Sequence, residues 1–467
     1  MKSDIIIIGG GASGLMAAYG AARTLVDSGS DAQVTVLEKM PRPARKVMIT
    51  GKGRCNFTNA KEWNEFSQHV RSKPNFVKSA FYNLDSSAVI SFFENNGLQT
   101  VVERGDRAFP ASYRASDVVD TLLRACAGYG VKVVTECEVT DIMKQGDSFK
   151  INTADGLEHR CRKLVIATGG LSYPSTGSTG DGLRWAENLG HEIKPCFPSL
   201  TALVPKGYKT EDIISKAKGH IDRSTPLSEF GKSLNGLQLK NISLSSIIEG
   251  TVVETEFGDI DFTDGGIEGP LGFQLSRKCV KALINGSHVT LRVDLKPGVE
   301  KAEIAARIKS LWEEIDKDPR SRGRNDKERC RILLGKLMPW DLIPAFLSAH
   351  PDIIDIKRKA GVKDRFGKYS QGVVRTFVNL SLIADALKAW DFPVEGYVGY
   401  ERCVITAGGV STDDVVARTM ESRVIEGLHF CGEVLDLDCD TGGYNLQVAF
   451  CTGYMAGQAA AKRLLSE

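Results

Sequence analysis

The sequence predicts an α/β protein: one discontinuous, doubly wound domain at the two ends of the chain, interrupted by a mixed insert. Three observations carry that expectation. A β-branched run, Ile5-Ile6-Ile7-Ile8, leads straight into a glycine turn and an apolar helical pattern. A second apolar run, Leu164-Val165-Ile166-Ala167, ends in Thr168-Gly169-Gly170. The same pattern returns only near the end, at Leu428-His429-Phe430 before Gly432 and Gly443. Runs without alternation mark strands covered on both faces, as in parallel sheets.

In chain order, residues 4–8 read as the first strand, 15–26 as the first helix and 34–37 as the second strand, which together make a βαβ unit. Helical spacing follows at 75–83, 88–95 and 117–129, with Ser116 as a candidate N-cap. Segments 131–134, 138–142 and 149–152 read as strands, with Asp155-Gly156 as a hairpin turn. From about residue 196 to 294 short alternating segments (237–244, 251–257, 288–293) indicate a β-rich insert. Residues 299–350 then turn helical and heavily charged. A strand at 402–406, another at 427–430 and a long helix from about Tyr444 close the chain. The expected divisions are 1–195 and 400–467 for the doubly wound domain, 196–298 for the β-rich insert and 299–399 for a mainly helical, mixed insert.

Composition narrows the class. Of 467 residues, 42% are hydrophobic and 25% charged, which excludes disorder as the default state. A net charge of +2 gives no global field for nucleic acid or an anionic membrane, so such a partner needs a local patch. Eleven cysteines without a CxxC pair argue against a zinc ribbon or a thioredoxin-like pair and suit a reducing cytosol. Seven histidines show no paired ligand spacing, so no metal site is expected. No run of about 18 apolar residues is present, so no membrane span is expected. Residues 5–22 are broken by Gly9-Gly10-Gly11 and Ser13 with only Lys2 ahead, and do not read as a cleaved signal.

Four motifs carry chemistry. Gly9-Gly10-Gly11-Ala12-Ser13-Gly14 supplies G-x-G-x-x-G between a strand and a helix. Gly9 permits the tight turn, Gly11 lets a pyrophosphate approach backbone, and Gly14 lets helix and strand pack closely. The phosphates would rest on the free N–H groups at the helix start. Glu38, ending the next strand, is placed to accept ribose hydroxyls; the plain alternative is a glycine turn. At the other end, Cys431-Gly432-Glu433 and then Gly442-Gly443-Tyr444-Asn445-Leu446-Gln447 resemble the second cofactor-contacting element of flavoproteins. There the helix start would face the flavin N1/C2 edge, which becomes anionic on reduction; the alternative is a helix cap. Both elements together favour FAD over NAD.

Thr50-Gly51-Lys52-Gly53-Arg54-Cys55-Asn56 lies downstream of Glu38-Lys39 and Arg45-Lys46. This loop could wrap the flavin edge, with Lys46 or Arg54 offering a cation; the alternative is a solvated basic loop. Cys55 reads best as a small buried residue. Ala167-Thr168-Gly169-Gly170 could let backbone touch the dinucleotide, while Asp181 is equally an N-cap. Val139, in the strand expected at 138–142, completes the set of cofactor candidates. No catalytic side chain is nominated; Tyr173, Tyr444 and Asn445 are polar groups expected near the ring. The basic run 316–331 could face RNA, but without interleaved aromatics it reads better as a solvated loop.

At these motifs the chain resembles a family of bacterial NAD(P)/FAD-dependent oxidoreductases that includes aminoacetone-oxidase-like and bile-acid 3-oxo-steroid-reductase-like proteins. The matching stretches are IIIIGGGASGLMAA, KVMITGKGRCNFTN, RAFPASYRASDVVDTL, LVIATGGLSYPSTGSTGDG and AGGVSTDDVVARTMESRVIEGLHFCGEVLDLDCDTGGYNLQVAFCTGYMAG. They cover most of the first 200 residues and the last 65. The resemblance implies a Rossmann-like FAD-binding domain with a β-barrel-like plus helical insert, a cytoplasmic oxidoreductase acting through flavin N5 on a small organic substrate, and oxygen or a transient NAD(P)H as redox partner. The substrate is expected where the insert faces the isoalloxazine. The insert matches mainly at FTDGGIEGP, where relatives usually carry His at the position of Asp264; Lys52 stands where a small residue is commoner. Readings from other classes are a flavoprotein that modifies RNA and a non-catalytic flavin-binding module.

Overall fold

A computed structural model describes residues 3–210, 219–321, 323–358 and 374–467. The chain divides into two compact units, Met1–Leu200 with Tyr400–Glu467, and Thr201–Gly399.

The first unit is built on a seven-stranded sheet in the order Val415–Val416, Glu421–Ser422, Leu428–Phe430, Lys163–Ile166, Ile5–Ile8, Val34–Leu37, Lys132–Val134. The last five strands run parallel, and the first two are antiparallel additions. Ile5–Ile8 lies at the centre with each side chain at most 4% exposed, which accounts for its lack of alternation. Ile8 stands opposite both Leu37 and Ile166, and Ile166 opposite Phe430. The carboxyl ends of four strands therefore finish level, and the next residues are Gly9, Glu38, Ala167 and Cys431.

Two long helices, Ala12–Asp27 and Tyr444–Leu465, join the chain ends. Their contact is made of small residues. A Cβ on Gly20 would stand 2.8 Å from the Tyr454 carbonyl, and Cβ atoms on Gly453 and Gly457 would overlap the Ser13 and Ala17 carbonyls. The N-terminal helix has twelve buried residues, all apolar or small, including Leu15, Met16 and Leu25. Each large side chain so buried contributes about 1.5–3 kcal/mol.

In the second unit, strands Leu203–Pro205, Gly266–Glu268, Thr251–Thr263, Gln238–Ile248, Val289–Asp294 and Trp390–Val398 pair in that order. The first also pairs with the last, which closes a six-stranded barrel, and His220–Ile221 adds to its rim in parallel. Val289, Leu291 and Val293 alternate inward with period two. Helices Gly269–Ile284, Lys301–Lys317, Asp326–Gly335, Ile343–Ala349 and Leu380–Lys388 complete the unit.

Some expectations need correction. The helix over 117–129 begins at Ala115, so Ser116 lies inside it and bonds Asp117 instead of capping. The strand expected at 402–406 is Ile405–Val410, paired antiparallel with Ile193–Ser199. Part of the basic 316–331 stretch is helical, since Asn325 forms a capping box that starts Asp326–Gly335.

Candidate dinucleotide site

The site is built along the carboxyl edge of the parallel sheet, where open α/β folds bind ligands. Gly9 has φ +102°, and a Cβ there would stand 2.5 Å from the Ala167 carbonyl, so the turn requires glycine. Gly14 abuts the Gly9 carbonyl, which seats the helix directly on the strand end. The helix opens at Ala12 after Gly11 with no side chain capping it, and the space beside Gly11 is clear to 4 Å. Its first N–H groups and positive end are thus presented to an anion.

Glu38 accepts from Gly10 N–H at 2.7 Å through Oε2 and from Met40 N–H at 2.8 Å through Oε1. These bonds fix the carboxylate and leave each oxygen a lone pair, enough for two hydroxyls. Burial pushes its pKa above the usual carboxylate range despite those two N–H groups.

On the other side of the central strand, Gly170 packs against Thr406, where a Cβ would meet Oγ1 at 2.5 Å. Glu433 accepts from Lys46 at 2.6 Å, from Thr406 N–H at 2.8 Å and from the Ser172 hydroxyl, while Thr406 Oγ1 accepts from Leu171 N–H at 2.8 Å. Lys46 also donates to Ser172. Lys46 and Glu433 thus neutralise one another in a half-buried cluster. Gly432 leaves room for the Ser13 side chain, and its N–H donates to Thr452. Lys39 reaches Asp181 at 2.8 Å. Burial pushes the Asp181 carboxyl up, but the bonds from Lys39 and Thr179 outweigh it and hold the pKa below the usual value. Gly180, with φ +81°, takes the capping position, and Asp181 is the first helical residue.

The 50–56 loop is strained: Lys52, between Gly51 and Gly53, and Cys55, between Arg54 and Asn56, adopt φ +56° and +55°. Arg54 turns to Glu103 at 2.7 Å and lies over the Tyr113 ring at 4.4 Å. Burial pushes the Cys55 thiol up to about 12, so it is inert. Asn56 lies beside Gly443, where a Cβ would stand 2.9 Å from its Oδ1. Thr168 Oγ1 and Asn56 Oδ1 are buried without a hydrogen-bond partner among the described residues. Polar atoms left this way need a partner, and both lie on the loops nominated for the cofactor.

The C-terminal helix begins at Tyr444 after Gly443, again with no capping side chain. Asn445 uses its whole amide on the Cys439 and Asp440 backbone, and Gln447 spans Thr58 and the Leu84 carbonyl. Leu446 is half-buried at the core edge, and Val139 is buried at the start of its strand. Sequence reasoning missed Ser172 and Thr406, which only the fold brings to Glu433, 261 and 27 residues away along the chain.

An uncapped helix start over a glycine turn, a ribose-height acid and glycine-lined loops on the flanking strands fit a flavin adenine dinucleotide, and they define a Rossmann-type dinucleotide-binding protein. The family model described as the HI0933-like protein Rossmann domain matches residues 3–459, and the chain belongs to that FAD-binding family. It is 31% identical over 457 residues to a 3-dehydro-bile acid delta(4,6)-reductase of Clostridium scindens, covering 98% of both chains. It is 28% identical over 458 residues to a ribosomal RNA dihydrouridine synthase of Haemophilus influenzae, covering 97% of both. The crystal structure of a 3-ketosteroid-delta4-(5alpha)-dehydrogenase from Rhodococcus jostii is also similar, at 12% identity and TM-score 0.47 over 98% of this chain and 97% of that one. Among the described residues no helix is long and apolar enough to cross a membrane, and no cluster of three metal-ligating side chains occurs.

Proposed function

We propose that the chain is an FAD-dependent oxidoreductase that exchanges hydride equivalents with a carbon–carbon double bond conjugated to a carbonyl in a small organic substrate. The observation that carries this reading is the levelled sheet edge, which holds the uncapped start of Ala12–Asp27, Glu38 and the 167–170 loop, together with a second uncapped helix start at Tyr444 beside Asn56 and Thr58. Bound FAD would supply hydride chemistry at N5. The chain's own part is to hold and shield it: N–H groups of residues 12–14 on the pyrophosphate, Glu38 on the ribose, and Gly170 and Gly432 admitting close approach. The start of Tyr444–Leu465 would favour negative charge on the ring edge. The bile-acid reductase relative supports the choice of a conjugated substrate, since its name describes saturation of such a bond.

A second reading follows from the relatives named ribosomal RNA dihydrouridine synthases, at 28% and 27% identity. Reducing a uracil ring is the same chemistry on a base held in RNA. The basic run weighs against RNA as substrate, because Arg320 pairs with Asp318, and Arg329 with Asp316 and Asp326. The sequence has no second G-x-G-x-x-G; Ala407-Gly408-Gly409-Val410 lacks the spacing, so a nicotinamide would bind only transiently.

The test is a visible spectrum of the purified protein, release and identification of its cofactor, and anaerobic mixing with NADH, NADPH and conjugated cyclic enones. A yellow protein that NAD(P)H bleaches and an enone restores supports the proposal. A colourless protein that takes up no FAD ends it. Retention of ribosomal RNA that falls steeply with salt would favour the second reading.

A further inference from the structure

Outside the dinucleotide loops the structure holds a buried charge cluster at the foot of the C-terminal helix. Segment 69–72 zips against 438–440: Asp440 N–H donates to the His69 carbonyl and Arg71 N–H to the Asp438 carbonyl, both at 2.9 Å, and Val70 bridges Cys439. The Asp440 carboxylate, 4% exposed, takes Arg71 through Nε and Nη2. Its Oδ2 also lies 2.9 Å from His69 Nδ1. A carboxylate so placed only accepts, so Nδ1 must donate, and the ring's lone pair sits on Nε2. The His69 side chain is 33% exposed, so Nε2 can exchange a proton with solvent. The ring stacks on Tyr444, with centroids 4.3 Å apart and planes at 21°. Tyr444 is the first residue of the helix that would face the reducible edge of the flavin.

We propose that His69 is the positioning residue that takes up a proton when the cofactor is reduced. This rests on the FAD reading above. Hydride chemistry supplied by bound FAD would bring two electrons and one proton, a net charge of one negative unit, to the ring the helix start faces. A second proton moves from solvent to His69 Nε2, so imidazole becomes imidazolium and the added charge is balanced one for one. Asp440 fixes the tautomer, and Tyr444 fixes the ring at the helix start. The other titratable groups around the imidazole are Arg71, held on the same carboxylate, Glu65 from the preceding turn and the stacked Tyr444 phenol.

The experiment measures the midpoint potential of the FAD-loaded protein against pH from 5 to 9, with the cofactor content and melting temperature of each variant. Wild type is expected to show a change of slope within that pH span, and His69→Gln to lose it while keeping its FAD. If His69→Gln does not hold FAD, Arg71→Gln gives the answer. Removing that cation should move the break to higher pH. A straight wild-type plot, a break that survives His69→Gln, or a break unmoved in Arg71→Gln overturns the inference. Protein that binds no FAD at all fails the cofactor reading instead, and a yellow protein without the break fails only this one.

Discussion

At the scale of single residues, burial decides what each group can do. Glu38 pays for its place with a raised pKa and is held by two backbone N–H groups, an arrangement that serves a ligand more than the fold. Glu38→Gln should weaken FAD binding at least about tenfold, because bonds to a charged acceptor contribute about 1.5–3 kcal/mol. Fluorescence titration reads this, and an unchanged dissociation constant would remove Glu38 from the ribose. His429 presents the opposite case. Complete burial, and then the charge of Lys163, push its pKa down to about 3. Below pH 6.5 the unfolded chain gains a proton there that the folded chain refuses, so stability falls as pH drops. The slope is about 1.4 kcal/mol per pH unit. His429→Leu should therefore lose about 2 kcal/mol less than wild type between pH 6.5 and 5. His159, His191 and His350, also shifted down by burial, stay in both proteins, so the difference isolates His429. Equal losses in urea unfolding would refute it.

At the scale of elements, close packing of the two long helices is set by glycine. Gly457 touches Ala17 backbone, and Gly453 touches Ser13. Gly457→Val should cost at least about 3 kcal/mol through overpacking. Lys462→Val, exposed on the same helix, should cost only about 0.5 kcal/mol in helix propensity. Similar melting temperatures for the two variants would show that the helices can separate without loss. The same elements show how far the sequence can be read. Ile5–Ile8, Lys163–Ile166 and Leu428–Phe430 announce themselves because both faces are covered, and the glycines after them mark close approach, of Gly9 to the Ala167 backbone and of Gly170 and Gly432 to the Thr406 and Ser13 side chains. What local pattern conceals is pairing over distance. Barrel closure joins Leu203–Pro205 to Trp390–Val398, the short strand Glu158–Cys161 carries no apolar run, and Lys46 meets Glu433 across 387 residues. Ser116 fits a cap by residue type, but the helix starts two residues earlier than expected, at Ala115, and places it inside.

At the scale of the molecule, the chain leaves the first unit at Leu200 and re-enters it at Tyr400. The two crossings are neighbours. In the first unit Val404 N–H donates to the Leu200 carbonyl at 3.1 Å. In the second, Thr201 Oγ1 donates to the Val398 carbonyl at 2.6 Å, and Val398 N–H to the Ala202 carbonyl at 3.0 Å. An insertion whose ends meet asks little of its host's geometry. A six-residue Gly/Ser linker, about 13 Å in mean reach, should therefore join Leu200 to Tyr400. The resulting protein should fold, stay yellow and bind FAD within about tenfold of wild type, or about 1.4 kcal/mol. A chain stopped at residue 400 should fail, because it lacks Leu428–Phe430 from within the sheet and the helix that covers Ala12–Asp27. Were the N-terminal βαβ unit sufficient to hold the cofactor, the truncated chain would bind it too. Spectra of the two shortened proteins, compared after incubation with FAD, distinguish a grip made by both chain ends from a grip made by one.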